Sequence, residues 1–284
     1  MVGKDCYAVF GYPIKHSKSP RIHQLFAEQT QQVIEYTAQE IPAERFGESV
    51  KAFFSQGGKG LNCTLPLKEL AWVFADITTK RAELSKAVNT LLIQDDDRIL
   101  GDNTDGCGLI TDLTINHGIS LEASRILILG AGGACRGILA PILERSPRQL
   151  ILANRTRQKA SDLAAEFCLF GDVEGSGFAE LKGQQFDLII NATSASLNDE
   201  LPPLEDDILA KDGVCYDLAY GNRPTAFVRW GVEQKAKKSL DGLGMLVEQA
   251  AESFFLWRKI RPQTQPVIDV LNAARRFVSE VKGE

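Results

Sequence analysis

The amino-acid sequence predicts two α/β domains, each built on a mostly parallel sheet, with the last two helices packing back on the first domain. Three observations predict it. Short apolar runs alternate with helical patterns along most of the chain, which is the arrangement that gives helix-covered parallel sheets. At about 100–200 residues per domain, 284 residues suggest one large or two ordinary domains. The final forty or so residues carry two helical stripes with no strand between them, which is no natural continuation of a doubly wound sheet.

Residues 7–10 read as a strand, closed by Gly11 and Pro13. Ser19-Pro20 opens a helix with Ile22, Leu25, Phe26 and Thr30 on one face. Proline suits a first helical turn because its missing N–H has no helical partner there anyway. Residues 35–41 predict a second strand, 44–54 a helix and 60–65 a third strand. Residues 87–93 and 98–101 predict a hairpin around Asp95-Asp96-Asp97. From residue 124 the pattern strengthens: 125–129, 150–153, 186–190 and 214–218 are apolar on both faces, as central parallel strands are. Leu246, Ala250, Phe254 and Trp257 then step along one helix face, and Val267, Val270, Leu271, Ala274, Phe277 and Val278 along another. The expected domains are 1–105, completed by 242–284, and 106–241.

Composition narrows the class. Hydrophobic residues make up 44% and charged residues 24%, which excludes a disordered chain. No apolar run reaches the roughly 20 residues that span a bilayer, so no membrane role is expected. A net charge of −5 argues against a nucleic-acid partner, because phosphate contacts need a basic surface. The first residues lack the apolar stretch of a secretory signal, and the six cysteines stand apart with no Cys-x-x-Cys pair. They read as thiols in a reducing cytoplasm, with no metal site. The expectation is a cytoplasmic protein acting on a small molecule, with a homodimer as the candidate assembly.

The strongest single motif is Gly130-Ala131-Gly132-Gly133-Ala134, directly after the 125–129 strand and before a helical pattern through Leu143. Glycines first and third allow a tight turn and let a pyrophosphate approach the backbone. The following helix offers its unpaired N–H groups to that anion. Residues 106–241 therefore read as a Rossmann-like dinucleotide-binding domain, with Cys135 where the last glycine of Gly-x-Gly-x-x-Gly would stand. The next strand selects the cofactor. An NAD site usually has a carboxylate about 20 residues on, accepting from the ribose. Here the strand ends in Asn154-Arg155-Thr156, with Lys159 following. Arg155 can pair with a 2′-phosphate that a carboxylate would repel, so NADP is the expected cofactor.

Four polar clusters, 16–20, 62–68, 87–90 and 101–106, fall at strand ends of the first domain, where ligand crevices of α/β sheets form. Singly, each residue also has an ordinary structural use. Ser19 suits a helix N-cap, Asn62 and Asn89 suit turns, Asp105 suits a cap, and Lys68 suits solvent.

Taken together, the blocks Ser17-x-Ser19-Pro20, Asn62-x-Thr64-x-Pro66-x-Lys68, Asn103-Thr104-Asp105-Gly106, the glycine run, Asn154-Arg155-Thr156, Asn191-Ala192-Thr193-Ser194 and Met245-Leu246-Val247-Glu248-Gln249 resemble the shikimate dehydrogenase family. The resemblance covers essentially the full chain. It implies an enzyme that reversibly reduces 3-dehydroshikimate to shikimate with NADPH, in aromatic amino acid biosynthesis. It implies that Ser17 and Ser19, helped by Tyr220, hold the substrate carboxylate, and that Asn62, Thr64, Asn89, Asp105 and Gln249 surround the ring. Lys68 and Asp105 match the family's catalytic pair, with Lys68 meeting the oxygen where negative charge develops. Whether Lys68 delivers the proton or positions the substrate stays open. Thr193, Ser194, Leu218, Gly242 and Met245 join Gly130, Ala131, Gly132, Gly133, Ala134, Asn154, Arg155, Thr156 and Lys159 as implied cofactor contacts. The sequence departs from the family at Cys63, Cys135 and Ser196, the last where glycine is common. Two other readings stay open: a branch that uses quinate and NAD, and a catalytically silent NADP-binding regulator on the same fold. The first would have an acidic residue within 154–157 and threonine at 19; the second would not need both Lys68 and Asp105.

Overall fold

Residues 4–281 are described in a computed structural model of the chain, without the side chains of residues 197 and 276–281. The chain divides into two units, Met1–Gly108 with Val247–Ile268, and Leu109–Leu246 with Asp269–Glu284.

The first unit contains strands β1 (Asp5–Gly11), β2 (Ile34–Glu40), β3 (Gly58–Cys63), β4 (Ile77–Thr78), β5 (Thr90–Ile93) and β6 (Ile99–Asp102). They form one sheet in the order β2-β1-β3-β5-β6-β4. The β1–β2, β1–β3 and β4–β6 pairs are parallel, whereas β5 runs antiparallel to β3 and β6 as the expected hairpin. Its helices are α1 (Ser19–Thr30), α2 (Phe46–Ser55), α3 (Lys68–Phe74) and α4 (Lys80–Ser85). Phe10, Leu61, Leu67, Ala71, Val88 and Leu91 pack with Phe46 and Val50 of α2 into a continuous core. The periodicity did not reveal α3 and α4, because fewer than two helical turns leave no repeat to read. On α1 the buried face is Ile22, His23, Phe26 and Ala27, not Leu25 and Thr30. His23 takes the core position because its ring stacks among aromatic rings.

The second unit begins as α5 (Asp105–Thr111) runs on into one π-helical stretch, Asp112–Asn116. Strands β7 (Arg125–Leu129), β8 (Gln149–Ala153), β9 (Val173–Ser176), β10 (Phe186–Asn191), β11 (Leu209–Asp217) and β12 (Lys238–Asp241) follow. The sheet order is β12-β11-β10-β7-β8-β9, parallel throughout. Helices α6 (Gly133–Leu143), α7 (Arg157–Phe167) and α8 (Ala226–Glu233) connect them. Leu127, Ile151 and Ile189 are almost wholly buried, which is why these strands read as unbroken apolar runs.

Two helices close the chain, α9 (Leu243–Arg258) and α10 (Gln265–Val281). Along α9, Val247, Ala250, Ala251 and Phe254 are buried, while Leu246 is only partly covered. Val267, Ile268 and Leu271 of α10 are buried, but Val270 is 43% exposed and Ala274 also faces solvent. Phe277 and Val278, expected on that stripe, lie outside the described side chains. Residues 242–246 and 269–284 group with the second unit, where the sequence reading joined all of 242–284 to the first. An ion pair between Arg275 and Asp241, at the end of β12, ties α10 to that sheet.

Candidate active site

In the first unit, the ends of β3, β5 and β6 bring together residues far apart in sequence. Asn62 lies near the end of β3, Lys68 opens α3, Asn89 immediately precedes β5, and Asp105 opens α5. Two backbone bonds set their register: Cys63 N–H to the Asn89 carbonyl at 2.9 Å, and Val88 N–H to the Lys68 carbonyl at 2.9 Å. Thr64 is fixed by its backbone, donating to Phe10 and accepting from Leu67.

At the centre, Lys68 Nζ lies 2.6 Å from Asp105 Oδ2. Asn89 Nδ2 donates to the other oxygen, Oδ1, at 2.9 Å, so both carboxylate oxygens are held. The pair is partly exposed, 28% for the Lys68 side chain and 16% for Asp105, which leaves the ammonium room for a ligand. Asn89 cannot flip without losing bonds: its Oδ1 accepts from Thr104 N–H at 3.0 Å while its Nδ2 also meets Gln249 Oε1 at 3.2 Å. Asn62 is fixed the same way. Its Nδ2 faces the Asn89 carbonyl, Thr90 Oγ1 and Ser253 Oγ, and its Oδ1 accepts from the Tyr36 hydroxyl at 2.7 Å.

Asp105 is braced from below. Its N–H donates to Asn103 Oδ1 at 3.0 Å, and Asn103 Nδ2 donates to Ser85 Oγ and the Ala87 carbonyl. The neighbouring Asp102 is 2% exposed and receives both Nε and Nη2 of Arg81, at 2.7 and 2.6 Å. Burial alone would raise the Asp102 carboxyl, but the Arg81 fork and Thr79 hold it below its ordinary value.

Ser17 and Ser19 stand at the start of α1. Ser19 is not the N-cap; Lys18 occupies that position, with no side-chain bond capping the helix, and Ser17 Oγ accepts from Ser19 N–H at 3.3 Å. Tyr36 adds a hydroxyl to the polar cluster, donating to Asn62 Oδ1 at 2.7 Å. Tyr220 belongs to the second unit, on the loop after β11. Sequence reading overlooked Tyr36, Arg81 and Ser253, and gave Thr90 and Asp102 no role of their own within the 87–90 and 101–106 clusters. Ser253 carried a signal, standing one helical turn beyond Gln249 on α9; Tyr36, in the middle of β2, carried none.

In the second unit, the chain leaves β7 toward β8 and returns through β10 on the other side. The carboxyl ends of β7 and β10 are thus the switch point where ligands of such sheets bind. The glycine turn lies there. Gly130 has φ +101°, and a Cβ on it would press on the Ala192 carbonyl at 3.1 Å, so only glycine fits. At Gly132 and Gly133 an added Cβ would enter open space; these two and Ala134 are exposed at the first turn of α6, while Ala131 is part-covered. That open cradle of helix N–H groups suits a pyrophosphate. Cys135 is fully buried and its thiol is pushed up to about 12 by that burial, so it serves as packing where glycine is usual. The turn after β8 leaves Arg155, Thr156 and Lys159 exposed, shaped by Asn154 Nδ2 donating to the Thr156 carbonyl at 3.0 Å. Residues 154–161 contain no carboxylate, so the donor set fits a 2′-phosphate. Thr193 and Ser194 follow β10 and Leu218 follows β11, its N–H on the Asn191 carbonyl at 2.9 Å. Gly242 N–H donates to the Ala219 carbonyl, and Met245 stands in the first turn of α9.

One unit presents an anion cradle for a dinucleotide and the other a lysine–carboxylate pair among polar side chains, the division of labour of a dinucleotide-dependent dehydrogenase. Comparison with known proteins sharpens the class. Residues 9–91 match the shikimate dehydrogenase substrate binding domain, 113–198 the shikimate / quinate 5-dehydrogenase model, and 242–271 the shikimate 5′-dehydrogenase C-terminal domain. Shikimate dehydrogenase (NADP(+)) of Methylococcus capsulatus is 61% identical, over 97% of this chain and 99% of that protein. Among solved structures, an Ael1 enzyme from Pseudomonas putida is 46% identical with a TM-score of 0.89, covering 94% of this chain and 98% of that one. Shikimate 5-dehydrogenase of Thermus thermophilus, solved with NADP(H) and shikimate, is 32% identical with a TM-score of 0.83, covering 96% and 99%. The chain belongs to the shikimate dehydrogenase family. No helix among the described residues is long and apolar enough to cross a membrane.

Proposed function

We propose that the chain catalyses the NADPH-dependent, reversible reduction of 3-dehydroshikimate to shikimate, with Lys68 and Asp105 as the catalytic pair. The observation that carries this is the 2.6 Å contact of Lys68 Nζ with an Asp105 carboxylate whose other oxygen is held by Asn89. When bound, the cofactor supplies the hydride. The glycine turn would hold its pyrophosphate, Arg155, Thr156 and Lys159 its 2′-phosphate, and Thr193, Ser194, Leu218, Gly242 and Met245 the remainder.

The rest is done by the chain's own groups. Ser17 and Ser19, with Tyr220, donate hydroxyl hydrogen bonds to the substrate carboxylate. Asn62, Thr64, Asn89 and Gln249 offer donors and acceptors to ring hydroxyls, which can use either. Asp105 accepts from a ring hydroxyl and aims the Lys68 ammonium. Lys68 donates to the carbonyl oxygen as negative charge develops on it, stabilising that charge where it appears. In the oxidative direction the neutral amine takes the proton back. A cytoplasmic setting fits six free thiols, and a homodimer is the assembly to test by sedimentation.

The test is reduction of NADP⁺ followed by its absorbance, with shikimate, quinate and no substrate in parallel. Shikimate should be strongly preferred, because quinate adds a hydroxyl at the carboxylate-bearing carbon and puckers the ring. Comparable specificity constants would move the chain to the quinate-using branch, and no turnover with either acid would leave the silent regulator. Cofactor choice has its own variant. Losing one charge-assisted contact costs about 1.5–3 kcal/mol, or roughly 10- to 150-fold. Arg155→Ala should therefore raise the KM for NADP⁺ by about that factor and leave the KM for NAD⁺ nearly unchanged; equal losses would remove Arg155 from the 2′-phosphate site.

A further inference from the structure

The second unit holds a buried carboxylate that none of the above uses. Asp217, the last residue of β11, is fully buried and has only uncharged donors around it. Ser196 Oγ and Thr225 Oγ1 each donate to Oδ2 at 2.6 Å. Asn191 Nδ2 at 3.2 Å and Ala219 N–H at 3.1 Å donate to Oδ1. Burial pushes this carboxyl above its ordinary value despite the four donors, so the group is costly to keep where it is.

What it joins explains the placement. Asn191 ends β10, and its Oδ1 accepts from both the N–H and the hydroxyl of Thr193, at 3.1 and 2.7 Å. Its Nδ2 also donates to Ser196 Oγ at 3.0 Å. Thr225 starts α8, accepting from Val228 N–H. Ala219, bonded to Asp217 through its N–H, accepts from Gly242 through its carbonyl. One carboxylate thus locks the loop after β10 to the loop after β11, beside the switch point. These are the loops that carry Thr193, Ser194 and Leu218. Ser196 adds a side-chain hydroxyl to the lock.

We propose that Asp217 and Ser196 are positioning residues for the nicotinamide end of the cofactor, holding the two loops against which that end rests. This inference rests on the cofactor reading above. A group that acts on one end of a ligand can be separated from one that merely holds the fold. Binding of NADPH is read by fluorescence, and binding of adenosine 2′,5′-bisphosphate, which carries the adenine end alone, by calorimetry. Asp217→Asn keeps the shape, and Ser196→Ala removes a single hydroxyl from a part-exposed loop. Each lost hydrogen bond is expected to weaken NADPH binding about 3- to 10-fold. Adenosine 2′,5′-bisphosphate affinity and the KM for shikimate should change less than about twofold, and Thr225→Ser, which keeps the hydroxyl, should behave as wild type. Unchanged NADPH affinity in Ser196→Ala, or parallel loss of both ligands, overturns the proposal; should Asp217→Asn fail to fold, Ser196→Ala decides alone. Wild-type protein that binds neither NADPH nor the bisphosphate would instead sink the cofactor reading itself.

Discussion

Lys68→Ala is expected to lower the turnover number by a factor on the order of 10²–10⁴, the usual contribution of a general acid–base group. Shikimate affinity should move little by comparison, because the lost interaction grows only as charge develops on the substrate oxygen. The geometry gives a reason to expect a large effect. Asp105 is held on one oxygen by Asn89 and by its own backbone bond to Asn103, so it aims the ammonium rather than following it. Asp105→Asn keeps the shape, removes the charge, and should both slow turnover and weaken binding, since a ring-hydroxyl acceptor is also altered. The double variant should be less impaired than the product of the singles implies, because the two side chains touch and act as one unit. Steady-state kinetics with calorimetric titration of shikimate checks this. Near-normal turnover with badly weakened binding in Lys68→Ala would make Lys68 a positioning residue and send the proton elsewhere.

Acid should destabilise the first unit through His23. Its ring is fully buried and stacks on Tyr36 with centroids 4.1 Å apart and planes 6° from parallel, with Phe26, Phe254 and Trp257 around it. Neither ring nitrogen has a hydrogen-bond partner. Burial lowers its pKa to about 3, with nearby Asn62 opposing the shift. The sign follows directly: between that value and about 6.5 the unfolded chain binds a proton that the folded chain refuses, so stability falls as pH falls. The full loss across that window is about 4–5 kcal/mol, and about 2 kcal/mol is already gone by about pH 5. His23→Phe keeps an aromatic ring in the stack and removes the titration. Denaturant unfolding at pH values of about 7 and about 5 should show the variant losing about 2 kcal/mol less than wild type. Equal losses would mean that His23 protonates freely in the folded state.

Local features were legible because local physics produces them. The glycine turn after an apolar strand could only be a tight βα turn, and Gly130 indeed has a positive φ. The strands β7, β8 and β10 announced themselves as unbroken apolar runs because they are covered on both faces. The absence of any carboxylate after β8 was plain in the letters. Short α3 and α4 were not, and a histidine on the buried face of α1 looks polar until the aromatic rings around it are known.

The candidate catalytic residues were nameable from their motif blocks, but their working arrangement was not. Sequence alone determined that Lys68 and Asp105 fall in polar clusters at strand ends, that two serines precede a helix-opening proline, and that an anion-binding turn and a basic turn share one domain. Only the tertiary structure decided that Lys68 meets Asp105, that Asn89 holds the second oxygen, that Tyr36 bonds Asn62, and that Asp217 ties two loops together. The reason is physical: backbone preference and hydrophobic period act over a few residues and leave a trace in the letters. A hydrogen bond between side chains 37 or 160 positions apart exists only once the tertiary fold has brought their elements together.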